Sequence, residues 1–311
     1  MSAYVGFIGC GNMGGALAKA AAKSDLLKPE HICIADRMTA HAEKMAAELG
    51  GAIVGTNKDV AKHCDYIFLA VKPQMMRGVL EEIAPVLKAR EDRFVLVTIA
   101  AGLTMESIQE MAGGNYPIIR LMPNMPAAVG QGMILYCSAK THLDEMVTFL
   151  HMMKEAGRFD ELPENLIDAG SAVSGCGPAF AYLFIESLAD GGVACGLPRA
   201  KAQEYAAQTL LGAAEMVLKS GMHPGALKDA VCSPAGSTIQ GVRKLEAGGF
   251  RGDVFEAVAA AYEKTKELGK KLDENRCEGR NVDFGASYRE IKYSESGNAG
   301  EGVKRSEKCR S

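Results

Sequence analysis

The sequence predicts an α/β fold in which a doubly wound parallel sheet comes first and an all-helical domain follows. Three observations predict it. Short β-type runs alternate with alanine-rich or amphipathic helical segments through the first half, the pattern of parallel strands joined by crossover helices. A glycine-rich turn, GCGNMG at residues 9–14, stands between the first such run and the first helical segment. Beyond about Pro163 the strand-like runs vanish, and long segments with helical spacing replace them.

The totals fit one large globular domain or two ordinary ones. A chain of 311 residues, 48% of them hydrophobic, has enough apolar material for properly buried cores. The formal charge of -3 leaves no basic footprint for nucleic acid or for an anionic membrane, so the expected partner is a small molecule. MSAYVGFIG enters a strand at once, without the basic start and small-residue cleavage site of an export signal. No uninterrupted apolar run of ~18 residues is expected to span a membrane, because the stretch from Ala179 carries Glu186 and Asp190. A cytoplasmic protein is expected. The nine cysteines are scattered singly, and the six histidines show no ligand spacing, so neither disulfides nor a metal site is expected.

In chain order, the clearest strands are 4–8, 32–35, 66–71, 94–99 and 118–121, with further edge strands expected at 132–136 and around Phe159. Residues 1–160 then form the first domain. In the second, 161–271, the segment 179–189 is apolar nearly all round, as a helix buried among helices or in a subunit interface would be. Helices near 199–220 and 253–271 are more amphipathic, with Leu210, Ala214, Val217 and Leu218 on one face of the former. Residues 272–311 are polar, glycine-rich and aperiodic, the composition of a disordered tail. No internal repeat is visible.

The turn at 9–14 is a G-x-G-x-x-G between strand and helix, the setting of a dinucleotide-binding, Rossmann-type fingerprint. Gly9 permits the tight turn, Gly11 lets backbone approach a pyrophosphate, and Gly14 lets helix and strand pack closely. The helix start, with Asn12 and Met13 in its first turn, offers free N–H groups to the phosphates. At the end of the second strand, where such folds read the adenosine ribose, stands Asp36, followed by Arg37. A carboxylate there suits a ribose hydroxyl and NADH, whereas a guanidinium suits the 2′-phosphate of NADPH, so the pair leaves the choice open.

Other stretches carry two readings each. Ala70, Val71, Lys72 and Pro73 end a strand where ligands of open α/β sheets lie, although Lys72 is equally readable as an exposed side chain. RLMPNMP at 120–126 reads either as a rigid site wall or as a structural turn, and SGCGP at 174–178 as close helix packing with Pro178 in a first turn. SPAGST at 233–238 interrupts the helices, with a helix resuming near Ile239. It fits a plain capped helix start, and it fits a carboxylate-sized anion site of converging N–H groups and hydroxyls.

Taken in order, GxGxxG, AVKPQ, RLMPNMPA, SGCGPAFAYLFIESLADGGVACGLPR and LKDAVCSPAGSTIQGVRKLEAGGFR resemble the pyrroline-5-carboxylate reductase family over about residues 1–271. The resemblance implies reduction of 1-pyrroline-5-carboxylate to L-proline with NADPH or NADH, and a helical domain that builds an interlocked homodimer, further assembled in some members into a decamer. It implies that Ser233, Ala235, Gly236 and Ser237 hold the substrate carboxylate, that Thr238 lies by the ring nitrogen, and that Glu164 lies near the bound ligands. Asn57 matches an adenosine-side contact, and 70–73 the backbone along the nicotinamide half. Gly221 departs from an acidic position of some members, Ala235 from a common glycine, and the tail lies outside the pattern.

Two alternatives share the fold. A β-hydroxyacid dehydrogenase would resemble its family in a helix with a lysine and an asparagine four residues on, and the helix after Pro178 has neither. A non-catalytic nucleotide sensor would have no need of the 233–238 loop.

Overall fold

The computed structural model describes residues 3–277. Its centre is an eight-stranded sheet of order β3-β2-β1-β4-β5-β6-β7-β8. The strands are β1 (Val5–Ile8), β2 (Ile32–Ala35), β3 (Ile53–Val54), β4 (Tyr66–Leu69), β5 (Val95–Thr98), β6 (Ile118–Met122), β7 (Gly132–Ala139) and β8 (Gly157–Glu161). Helices α1 (Asn12–Ala22), α2 (Thr39–Glu48), α3 (Asn57–His63), α4 (Pro73–Lys88), α5 (Met105–Met111) and α6 (Leu143–Met153) connect them.

Every residue of β1, β2, β4 and β5 is buried, because helices cover both faces. That is why these strands read as unbroken apolar runs rather than alternating ones. One face packs Phe7, Leu17, Phe68 and Phe149, with the Phe7 and Phe68 rings stacked at 4.4 Å; the other packs Ile8, Leu69, Leu80 and Ile83. Strand order reverses between β1 and β4, and a crevice at such a switch point is where open α/β sheets take ligands.

The sheet differs from its expectation in two places. β7 runs antiparallel to β6 and continues to Ala139, so the chain turns back at the Asn124 turn instead of crossing over. β3 was not foreseen, since its two residues are both exposed and too few to show a period.

After β8 the chain is helical: α7 (Glu164–Ser174), α8 (Gly177–Ala194), α9 (Arg199–Ser220), α10 (Pro224–Val231), α11 (Ser237–Ala247) and α12 (Phe250–Cys277). Ile167 of α7 packs on Leu135 and Cys137 of β7, which joins the helical part to the sheet. α8 and α9 meet through Ala189, Ala202 and Ala206, small side chains that permit close approach. Only Ala189 of α8 is buried within the chain, so 179–189 is not a helix buried among the other helices of this chain; Tyr182 and Leu183 are exposed.

Two helix boundaries differ from the expected ones. α11 begins at Ser237, two residues before Ile239. α12 continues six residues past Lys271, and the rest of the expected tail, 278–311, lies outside the described residues. The helical stretch 164–194 contains no uninterrupted apolar run of 18 residues, but it does hold an 18-residue window of mean hydropathy 1.3, apolar enough by length and composition to cross a membrane.

Candidate active site

The glycine-rich turn is fixed by contacts at the carboxyl ends of β1, β2 and β4. The N–H of Gly9 donates to the Ala35 carbonyl and that of Ala70 to the Ile8 carbonyl, both at 2.8 Å. Gly9 has φ +98, and a Cβ there would lie 2.7 Å from the Ala70 carbonyl oxygen. A Cβ at Gly14 would lie 2.3 Å from the Gly9 carbonyl oxygen and 2.9 Å from the Ala70 side chain. Gly11, which precedes α1, has open space where a Cβ would stand. The turn is thus sealed toward the protein and open on the side of the α1 amino terminus, the geometry a pyrophosphate needs. Asn12 and Met13 begin α1, and Val71 packs beside Gly9.

Asp36 is tied into the same turn. Its Oδ2 accepts from the Cys10 N–H at 2.9 Å and the Cys10 thiol at 3.4 Å, and its Oδ1 accepts from the Met38 N–H at 2.9 Å. Burial pushes this carboxyl up, but the hydrogen bonds from Cys10 and Met38 outweigh it and hold the group below the usual carboxylate range. Burial, together with the adjacent Asp36 carboxylate, pushes the Cys10 thiol up to about 12. Cys10 is therefore a donor to Asp36 and not a nucleophile.

Arg37 is exposed beside it. Asn57 opens α3, and its amide donates to Glu82 of α4 at 2.8 Å. Lys72 precedes α4 and Pro73 occupies its first turn, where a missing N–H costs nothing.

The 233–238 segment is a turn followed by a helix start. The Gly236 N–H donates to the Ser233 carbonyl at 3.0 Å, and Ala235 has φ +58. Proline second and a positive φ third make a type II turn, which ordinarily takes glycine at the third position; alanine there costs roughly 1 kcal/mol. A Cβ at Gly236 would stand 2.5 Å from Ser233 Oγ, so this residue cannot carry a side chain without moving the serine. Gly236 caps α11 with no side-chain hydrogen bond, which leaves the first-turn N–H groups of Ser237 and Thr238 without a capping side chain. Both residues are helical rather than part of the loop, and a carboxylate suits such a helix start.

Arg120 supplies a feature that the sequence reading passed over. Its side chain is 3% exposed, Nη1 donates to Glu164 Oε1 at 3.3 Å, and Nη2 donates to Asp168 Oδ1 at 2.7 Å. Glu164 Oε1 also accepts from the Met105 N–H at 2.8 Å. Arg120 pairs in register with Thr98 at the end of β5, so Glu164 sits at the carboxyl edge of the sheet. The signal was an arginine inside the apolar run PIIRLMP, which must find partners once buried. Asn124, by contrast, is a structural turn residue: it donates to the Ser174 carbonyl and accepts from the Met133 N–H.

Gly9, Gly11, Gly14, Ala70, Val71 and Asp36 are thus brought to one edge of the sheet, and Glu164 stands at the end of β5 and β6. Ser233, Ala235, Gly236, Ser237 and Thr238 stand on the helical body, where α11 packs against α12 and neither α10 nor α11 buries a residue within the chain.

Comparison with known proteins divides the chain in the same way. Residues 164–268 match the family described as pyrroline-5-carboxylate reductase dimerisation, and residues 4–102 match NADP oxidoreductase, coenzyme F420-dependent. Pyrroline-5-carboxylate reductase of Glycine max is 41% identical over 85% of this chain and 95% of its own. The Escherichia coli enzyme of that name is 41% identical over 87% of this chain and 100% of its own. The Plasmodium falciparum pyrroline carboxylate reductase structure, with NADP bound, superposes with TM-score 0.77 at 36% identity, covering 86% of this chain and 98% of that one.

Proposed function

The chain belongs to the pyrroline-5-carboxylate reductase family, and from that premise we propose which of its residues carry the reaction. It is an NAD(P)H-dependent reductase of proline biosynthesis, converting 1-pyrroline-5-carboxylate to L-proline. One observation supports the residue assignment above the rest: a turn closed toward the protein and open at Gly11.

The cofactor belongs at the 9–14 turn, held by Gly9, Gly11, Asn12, Met13 and Gly14 through backbone N–H groups. Ala70, Val71, Lys72 and Pro73 line its nicotinamide half, and Asp36, Arg37 and Asn57 its adenosine half. Bound there, it supplies the hydride. The substrate carboxylate belongs at the α11 start, where Ser233, Ala235, Gly236 and Ser237 offer hydroxyl and N–H donors. A carbon–nitrogen double bond accepts hydride most readily when its nitrogen is protonated, so the site needs a fixed anion clamp and a polar group at nitrogen rather than a nucleophile. Thr238 is that group. Its hydroxyl orients the ring nitrogen or a water and is too weak an acid to do more. Glu164 keeps one oxygen on Arg120 and Met105 and has the other available toward the ligands.

The domain division at 160/161, a homodimer, its growth to a decamer, a cytoplasmic location, and the absence of membrane and nucleic-acid partners belong to the same proposal. The exposed apolar side chains of α8 support a second copy of this chain as its cover, with 164–194 as subunit interface rather than membrane span. The cysteines from Cys10 to Cys232 are free, which suits a reducing compartment.

The test is oxidation of NADPH and NADH on addition of 1-pyrroline-5-carboxylate, with small 3-oxoacids as controls. Turnover confined to the pyrroline is expected, and turnover confined to the 3-oxoacids would overturn the reading. Thr238→Ala is expected to lower kcat at least about tenfold, ~1.4 kcal/mol in the barrier, without unfolding the chain. Unchanged kcat would remove Thr238 from the mechanism.

A further inference from the structure

Asp36 stands where a carboxylate ordinarily accepts from the adenosine ribose hydroxyls and so selects the unphosphorylated dinucleotide. In this chain it is already engaged. Both oxygens already accept from the protein: Oδ2 takes the Cys10 N–H and thiol, and Oδ1 takes the Met38 N–H. The two Cys10 bonds join the end of β2 to the glycine-rich turn, while the Met38 bond closes the loop that follows β2. A carboxylate so placed fixes the turn whichever dinucleotide is bound.

Arg37 is the opposite case. It is exposed, and its side chain makes no ion pair or hydrogen bond among the described residues. It follows Asp36 directly, before α2. The first turn of α2 holds no acidic residue, and the Met38 side chain does not cap it. A doubly charged group at the ribose 2′ position would therefore meet an unpaired guanidinium with a bidentate fork, and the helix start would add its own partial charge.

We propose that Arg37 sets the cofactor choice by pairing with a 2′-phosphate on the adenosine ribose, so that the chain prefers NADPH, while Asp36 anchors the glycine-rich turn and does not discriminate. This rests on the dinucleotide site described above. It assigns to two adjacent residues the division of labour that their sequence leaves open.

The experiment is calorimetric titration of the full-length chain with 2′,5′-ADP and with 5′-AMP, which differ only in the phosphate at issue. The unmodified chain is expected to bind 2′,5′-ADP at least about tenfold more tightly. In Arg37→Ala that ratio is expected to fall to within about threefold, with most of the change on 2′,5′-ADP. Equal binding by the unmodified chain, or a ratio that survives Arg37→Ala, would overturn the proposal.

Asp36→Asn separates the two roles. Loosening of the turn is expected to weaken both nucleotides by similar factors, whereas loss confined to 5′-AMP would mark Asp36 as the ribose reader and sink the assignment. Arg37 is exposed, so its replacement disturbs no packing, and the ratio in the unmodified chain is informative by itself. Neither probe requires the pyrroline substrate. Failure of the reductase reading would appear as absent turnover with the nucleotide ratio intact, and failure of this proposal as turnover with the ratio lost.

Discussion

β4 and α8 are both strongly apolar, yet the chain treats them in opposite ways. All four residues of β4 are buried, whereas one of the eighteen residues of α8 is. The same contrast holds between the bodies they belong to. The sheet body packs helices on both faces and leaves its central strands no exposed side, while α8, α9, α10 and α11 keep most of their surface open within one chain. At roughly 25 cal/mol per Å² of apolar surface, side chains the size of Leu183 and Tyr182 each withhold about 1–2 kcal/mol until something covers them. The first body is a fold that completes itself. The second leaves apolar faces open within one chain, over residues that match the family described as pyrroline-5-carboxylate reductase dimerisation.

The sheet body has no slack at its ligand edge, and this gives the largest expected effect. Gly14→Val would place side-chain atoms against the Gly9 carbonyl, already 2.3 Å from an ideal Cβ, and against Ala70. Binding of NADPH, measured by titration, is expected to fall more than about a hundredfold, because α1 must leave the strand ends and take its N–H groups with it. Binding within about threefold of the unmodified chain would mean that the sheet body yields as readily as the helical one.

The helical body should respond to its partner instead. Leu183 is 65% exposed in the single chain, where a glutamate in its place costs almost nothing. Buried between two copies, that glutamate would be an unpaired charge, worth several kcal/mol against assembly. Leu183→Glu is therefore expected to shift the chain toward monomer by light scattering, with turnover falling in parallel and NADPH binding to the sheet body changed much less. An unaltered mass would show that this face of α8 is not the one covered.

What the sequence showed of each body follows the same division. GCGNMG was legible because its requirements are local: a strand, a tight turn and a helix start within a dozen residues. The strands of the sheet core were legible as unbroken apolar runs, and β3 was not, because two exposed residues carry no period. The turn at Ala235 hid its left-handed backbone behind a residue that seldom adopts one. The start of α11 depends on Gly236 as cap, and no pattern in SPAGST separates the loop from the helix that contains Ser237 and Thr238. The engagement of Asp36 by Cys10 depends on β1 and β2 lying side by side, 26 residues apart in the chain, and the partners of Arg120 lie 44 and 48 residues away. Such pairings become visible only when the chain is folded.

Arg120 is where the two bodies are joined by charge, and it carries the smallest of these effects. Its guanidinium rises from β6 to two carboxylates of α7, Glu164 and Asp168, one of which also holds the α5 start through Met105. Arg120→Leu would keep the apolar volume and strand both carboxylates. A fully buried pair broken in this way costs about 3–5 kcal/mol, but these carboxylates are 30% and 29% exposed and recover part of their hydration, so roughly 2–3 kcal/mol is expected by urea unfolding. Arg120→Lys should rescue little of it, since one ammonium cannot reach two carboxylates with the planar fork that Nη1 and Nη2 provide. If lysine restores full stability, net charge is what matters there and geometry is not. If leucine costs nothing, the apolar packing of Ile167 on β7 suffices to hold α7, and the helical body is tied to the sheet by the same kind of contact that completes the sheet itself.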